Sequence, residues 1–213
     1  MSDEFDLKLV TSAFALAAEN GWRHVTVAAA AREAGLDLGH ARKKFSGCHA
    51  ILKRFGQLAD AHALNGALTE GPVKDRLFDT VLRRFDFLQM HRVGVLALLR
   101  GLPLQPELGP WLAVETLISM GWLLEGAGVS SSGIRGHFRK RGLLAVWAWG
   151  LRAWMRDETA DLSATMAAVD VALIRADQIA ARFAPEGFTP PPEDLATEDA
   201  AFDPELPLDT SNQ

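Results

Sequence analysis

Apolar residues recur every three to four positions along most of this chain, and that period constrains its fold more than any other feature. In the first segment, Leu9, Ala13 and Leu16 fall on one face of a helix. The signals of strands, which are alternating β-branched residues and hairpin dipeptides, are nearly absent. The pattern predicts an all-α protein.

Glycine, proline and capping residues divide the pattern into a series of helices. Asn20-Gly21 ends the first helix, Thr26 caps the second, and Asp37 caps the third. The expected ranges are 6–19, 27–34, 38–44, 50–68, 73–91, 93–99, 111–126, 134–155 and 162–183. Two short helices joined by a tight Gly-containing turn, after a longer helix, predict a helix-turn-helix unit. The alternative is an ordinary three-helix corner.

Charge is distributed unevenly along the chain, whose net charge is −5. From Glu186 onward there are eight acidic residues and no Lys or Arg, and the remaining 22 basic and 19 acidic residues leave a charge of +3. Six basic residues cluster between Arg32 and Arg54, which suits a small phosphate footprint or a solvated basic face. The acidic, Pro-rich segment 185–213 is predicted to be disordered.

Composition also indicates the compartment. Cys48 is the only cysteine, which excludes an internal disulfide and fits a reducing cytoplasm. The N-terminal residues are acidic and lack the apolar core of a secretory signal. The longest near-apolar run, 142–151, is about half of the roughly 20 residues that span a bilayer, so no membrane insertion is expected.

No group of residues has the spacing of a catalytic or metal site. Cys48 and His49 are adjacent, so on a helix they point about 100° apart and cannot act as a nucleophile and its base. The histidines are scattered, and no glycine-rich phosphate loop is present. We expect no enzymatic activity, no catalytic residue, no metal and no cofactor; an enzyme acting through Cys48 is the remaining alternative.

The interior of the longer helices offers an apolar, aromatic lining for a small molecule. Apolar cavities between helices are common ligand sites, although a packed core explains the same residues. Six Trp and no Tyr indicate a hydrophobic ligand. The candidate ligand-binding residues are Phe85, Leu88, Leu99, Leu117, Met120, Leu124, Trp147, Leu151 and Trp154.

The segment "RGHFRKR", residues 135–141, places four cations and a histidine at the start of the penultimate helix. The helix dipole disfavours cations there. This indicates an anionic partner, such as a lipid head group or the acidic tail of the chain itself; the alternative is a plain solvated face.

The first 55 residues resemble the DNA-binding domain of TetR-type transcriptional regulators. The resemblance is carried by "AFALAAENGW", "TVAAAAREAGL", Gly39 in the third helix and Phe45 at its end. It implies a helix-turn-helix head over 1–55, a ligand-binding and dimerisation body over 56–184, and the tail over 185–213.

The resemblance implies double-stranded DNA as a partner, a homodimer, and control by a hydrophobic small molecule. The last two helices of each subunit are the candidate dimer interface. Heads about 34–36 Å apart would address successive major grooves. The residues expected to contact DNA are Thr26, Leu38, Gly39, His40, Arg42, Lys43 and Lys44.

The chain departs from the family at three positions. Arg42 stands where an aromatic residue is usual, and Lys44 where His or Tyr is usual. Cys48 stands where the family tends to place a phosphate-binding Lys. Losing that contact would lower the salt dependence of DNA binding by about one charge.

A second resemblance is to the TetR-like lipid-binding accessory proteins of ubiquinone biosynthesis. "GLDLGHARKKF" is similar to their third helix, and residues 128–170 look like their C-terminal segment. This resemblance implies an isoprenoid or lipid carrier without DNA recognition. Those proteins dock on membranes through a terminal amphipathic helix, whereas this chain has an acidic, Pro-rich tail that anionic lipid would repel.

Overall fold

The computed structural model describes residues 2–159 and 161–182, and all regular secondary structure within them is helical. The predicted all-α class is therefore confirmed. The predicted disorder of 185–213 lies outside the described residues. The helices are α1 Ser2–Asn20, α2 Val27–Glu33, α3 Leu38–Lys44, α4 Cys48–Leu64, α5 Val73–Met90, α6 Arg92–Gly101, α7 Leu108–Gly126, α8 Gly133–Trp154 and α9 Ser163–Arg182.

The helix-turn-helix unit has the predicted caps. The hydroxyl oxygen of Thr26 accepts a hydrogen bond from the backbone N–H of Ala29 at 3.0 Å. The carboxylate of Asp37 accepts one from the backbone N–H of His40 at 2.7 Å. Gly35, with φ of +63°, makes the left-handed turn that ends α2 and lets α3 begin three residues later. These local signals are why the predicted ranges of α2 and α3 agree closely with the structure.

Three helix boundaries differ from the sequence prediction by three residues or more, and the first is the start of α1, which begins at Ser2 rather than residue 6. The fourth helix ends at Leu64 rather than residue 68, because Gly66 takes a φ of +76° and turns the chain away. The seventh begins at Leu108 rather than residue 111, so Pro110 lies inside its first turn. Proline is tolerated there, because the first N–H groups of a helix have no partner within the helix.

The body is built around an antiparallel pair, α8 and α9. Gly150 of α8 faces Val169 of α9 so closely that a Cβ on Gly150 would lie 2.8 Å from the Val169 Cγ2 atom. The same Cβ would lie 3.0 Å from the ring of Phe85 of α5. α4 and α7 pack beside α5 and complete the body. No described helix is both long enough and apolar enough to cross a membrane.

Asp157 holds the turn between α8 and α9. Its buried carboxylate accepts hydrogen bonds from the backbone N–H and hydroxyl groups of Thr159 and Thr165. Burial opposes ionisation, but these hydrogen bonds outweigh it and lower the pKa of Asp157 to about 2. The α8–α9 pair is thus closed by an ionised carboxylate at neutral pH.

Candidate functional site

The third helix presents one face to solvent and anchors the other in the head. Leu38, His40, Arg42 and Lys43 are exposed. Ala41 and the residue that ends the helix, Phe45, are buried. A short helix held in this way displays side chains without needing stability of its own, because its buried residues fix its orientation.

Lys44 differs from its two cationic neighbours. Its ammonium pairs with the carboxylate of Asp6 in α1, and its side chain is 25% exposed. Asp6, whose side chain is 8% exposed, also pairs with the guanidinium of Arg54 in α4 at 2.8 Å. Asp6 therefore joins α3 to α1 and α4. The structure places Lys44, predicted as a DNA contact, in this internal network rather than on the outer face.

His40 is also held by α1. Its ring lies 4.4 Å, centroid to centroid, from the ring of Phe5. This contact fixes the imidazole at the start of α3 while the residue remains exposed.

Two cationic side chains of α3, Arg42 and Lys43, are exposed. Within the described residues, Arg42 and Lys43 form no ion pair. Two other cations of the head are paired with acids: Lys8 pairs with Glu4 at 2.9 Å, and Arg54 also pairs with Asp3 at 2.7 Å. The positive face of α3 therefore consists mainly of Arg42 and Lys43.

Cys48 has a structural contact. Its thiol donates a hydrogen bond to the backbone carbonyl oxygen of Val25 at 2.9 Å, which ties the start of α4 to the segment before α2. Burial raises the pKa of the Cys48 thiol, so the thiol is protonated at neutral pH. The neighbouring His49 ring turns towards Trp111 instead. No group of three or more His, Cys, Asp and Glu residues within the described part of the chain could hold a metal ion.

The structure brings most of the predicted ligand-binding residues together in the body. The rings of Phe85 and Trp147 stack with centroids 4.3 Å apart, and Trp154 lies next to Phe85. Leu88, Met120 and Leu124 are buried in the same core, whereas Leu117 and Leu151 are half-buried. Leu99 is half-buried on α6, which packs mainly against α1. These side chains fill the space between the helices.

Two surface clefts lie elsewhere. One, of about 300 Å³, is lined by Asp86, Gln89, Met90, Asp161 and Leu162. The other, of about 400 Å³, is lined by Leu16, Asn20, His24 and Ala29. Neither of these two clefts is lined by a predicted ligand-binding residue.

The body contains a buried polar network that the sequence pattern does not predict. Arg84 is 5% exposed, and its Nε atom lies 2.9 Å from a carboxylate oxygen of Asp60. Ser119 donates a hydrogen bond to Asp60 at 2.6 Å and accepts one from Arg84 at 3.2 Å. The guanidinium lies 4.5 Å from the ring centroid of Trp147. The one sequence signal of this network is Arg84 itself, a charged residue next to Phe85 in the apolar stripe of α5.

Burial lowers the pKa of Arg84, while the charge of Asp60 and its hydrogen bonding act in the opposite direction. The Nη1 atom of this guanidinium is buried and has no hydrogen-bond partner within the described residues. The network joins α4, which leads from the head, to α5, α7 and α8.

The crystal structure of the TetR transcriptional regulator from Nitrosomonas europaea ATCC 19718 is similar to this chain, with a TM-score of 0.65. The chain has a TetR-like fold. The alignment covers 83% of this chain and 99% of that protein, at 19% sequence identity. No protein-family model and no curated protein matches the chain. At this identity the likeness concerns the fold alone.

Proposed function

We propose that this protein is a cytoplasmic transcriptional regulator that binds operator DNA as a homodimer through α3. The observation that carries the proposal is the exposed face of a capped α3, with Arg42 and Lys43 on it, in a TetR-like fold. Side chains on such a helix are positioned for the major groove.

The proposed contacts divide by chemistry. Thr26 offers its backbone N–H or hydroxyl to a phosphate at the start of α2, and Leu38, Gly39 and His40 approach base edges. Arg42 and Lys43 contact phosphates or the acceptor edge of guanine. Lys44 acts indirectly, because its pairing with Asp6 keeps α3 seated on α1.

We propose that the dimer forms through the outer faces of α8 and α9. Trp149 of α8 and Met155, which follows the last residue of α8, are exposed, as are Val171 and Ile174 of α9. Burying these residues against the same face of a second copy would form a four-helix interface with twofold symmetry. That arrangement sets the spacing of the two heads.

We propose a hydrophobic ligand for the body. To enter, it must part the stack of Phe85 on Trp147, which lies beside the network of Arg84 and Asp60. Because Asp60 is on α4, which leads from the head, a displacement of Arg84 and Asp60 would be transmitted along α4 to the head. The effect on DNA affinity is limited to the ligand's differential affinity for the two arrangements.

The proposal is tested with DNA that flanks the protein's own coding region. Fluorescence anisotropy compares the wild type, R42A/K43A, and the control R100A/R156A, which removes the same charge from exposed positions in the body. The regulator hypothesis expects tight binding by the wild type and the control, and loss of at least about tenfold in affinity in R42A/K43A, since phosphate contacts dominate. Equal, weak binding by all three proteins would overturn it.

Two contacts in the head favour a second candidate function, that of an isoprenoid- or lipid-binding accessory protein without DNA recognition. The Lys44 ammonium is engaged by Asp6, and Cys48 is hydrogen bonded to Val25 where a phosphate-binding Lys would serve DNA. Native mass spectrometry of the purified protein distinguishes the candidates. A co-purified isoprenoid lipid, together with DNA binding that R42A/K43A does not change, would support the carrier and contradict the regulator.

A further inference from the structure

The start of α8 is a surface with strong positive charge and exposed apolar groups. Ile134 and Phe138 are 80% and 69% exposed, one helical turn apart. Arg135, Arg139 and Arg141 are exposed around them. We call residues 134–141 the cationic face.

No carboxylate within α8 balances the cationic face. The helix contains Arg135, Arg139, Lys140, Arg141 and Arg152, and no Asp or Glu occurs between Glu125 and Asp157. Arg139 donates a hydrogen bond to the backbone carbonyl oxygen of Ser130 at 3.1 Å and pairs with no acidic residue in the part of the chain that the structure describes. Cations at this end of a helix are also disfavoured by the helix dipole. The surface therefore suits an occupant that is acidic and partly apolar.

The antiparallel packing of α8 and α9 brings the end of the described chain close to this face. Thr165 is hydrogen bonded to Asp157 at one end of the pair, and Arg175 lies 5.7 Å from the ring of Trp149 further along. Continuing this register takes the end of α9, at Arg182, alongside the first turns of α8.

The sequence that follows has the complementary chemistry. Residues 183–213 contain eight Asp and Glu, no Lys or Arg, and apolar residues that include Phe188, Leu195 and Phe202. Their contour length allows up to about 3.3–3.6 Å per residue, so they can reach any part of the cationic face from Arg182. The cationic face and residues 183–213 thus have charges of opposite sign, and both carry apolar residues. They are also joined by a short length of chain.

We propose that residues 185–213 bind the cationic face of α8 in the same molecule, with their carboxylates on the arginines and their apolar side chains on Ile134 and Phe138. The tail thereby covers this surface and excludes other polyanions from it. The proposal stands apart from the proposed DNA binding, because it involves no residue of α2 or α3.

Zero-length cross-linking with a carbodiimide tests the proposal on the full chain. Lys140 lies in the cationic face and is the last lysine in the sequence, so its links to carboxylates are identified unambiguously by mass spectrometry. At low ionic strength we expect links from Lys140 to residues 186–209. The variant R135Q/R139Q/R141Q keeps Lys140 and should reduce the yield roughly fivefold or more, since each exposed ion pair changes an equilibrium by up to about fivefold.

The control R100Q/R152Q/R156Q removes the same charge from exposed positions outside the cationic face and should leave the yield unchanged. Equal yields in the wild type and R135Q/R139Q/R141Q would overturn the proposal. So would links only between light and heavy chains in a mixed isotope-labelled sample, which would place the tail on another molecule.

Phosphatidylglycerol vesicles test the competing occupant, an anionic membrane surface. A variant with all eight tail carboxylates changed to amides should sediment with the vesicles more than the wild type, because its cationic face is uncovered. If the wild type sediments equally well through its arginines and gives no Lys140 link to the tail, the membrane is the occupant and the proposal is wrong.

Discussion

Replacing Asp60 with Asn perturbs the buried ion pair between Asp60 and Arg84 in the body. The substitution keeps the size of the side chain and its hydrogen bond with Ser119, but it removes the carboxylate that pairs with Arg84. The guanidinium is 5% exposed, so it cannot recover its hydration without opening the core. Removing one charged partner of a buried ion pair costs about 3–5 kcal/mol, so we expect D60N to lower the free energy of unfolding by that amount.

The double variant D60L/R84M tests the cause of that loss. With both charges removed, no buried charge is left without a partner, and such replacements are neutral or stabilising by about 1–4 kcal/mol. The loss of the contact between Arg84 and Trp147 works against this gain by about 0.5–2 kcal/mol. We therefore expect D60L/R84M to be more stable than D60N by at least about 1 kcal/mol.

Urea unfolding followed by tryptophan fluorescence measures both variants. The slope of the free energy against urea must stay constant for the comparison to hold. If D60N loses less than about 1 kcal/mol with an unchanged slope, the guanidinium is hydrated and the reasoning is refuted. The same holds if D60L/R84M is less stable than D60N, because the cost would then come from lost packing rather than from an unpaired charge.

Three further predictions use the same unfolding assay or hydrogen exchange. G94A should destabilise the protein by about 1–3 kcal/mol, because the new Cβ would lie 2.3 Å from the carbonyl oxygen of Phe14. The control G56A, where a Cβ meets no neighbour, should stabilise the protein by up to about 1 kcal/mol. Equal effects of the two substitutions on stability would contradict the close crossing of α1 and α6. D157N should lower the free energy of unfolding at neutral pH and flatten the dependence of that free energy on pH between about pH 4 and pH 2. The reason is that the wild-type carboxylate has a lowered pKa, so its contribution to stability is lost as the pH falls through about 2. K44M should speed amide exchange in α3 relative to α2, and unchanged exchange would show that the pair with Asp6 does not seat the helix.

The parts of the fold that follow from local chemistry were predictable from the sequence. The caps Thr26 and Asp37 and the turn at Gly35 act within a few residues, so α2 and α3 were located closely. The end of α4 was placed too late because its apolar pattern continues past Gly66, where the backbone turns. A period of apolar residues indicates which face is buried, but a left-handed glycine decides where the helix stops.

The candidate site, unlike the caps and turns, depends on contacts between residues that are far apart in the sequence. Arg42, Lys43 and Lys44 look equivalent in sequence, yet only Lys44 points to a carboxylate on α1, 38 residues earlier. The pairing of Arg84 with Asp60 likewise needs the register of α4 against α5. Periodicity does not specify which residues of two helices meet, so neither contact could be derived from it.

The claim that α3 is an outward-facing nucleic-acid-binding helix is tested most directly by the salt dependence of DNA binding. If Arg42 and Lys43 of both subunits each neutralise one phosphate, they contribute about −3.6 to the slope of log K against log salt, at about −0.9 per contact. We expect a slope at least that steep for the wild type, and one shallower by about that amount for R42A/K43A. A wild-type slope near zero, or the same slope in both proteins, would contradict the account.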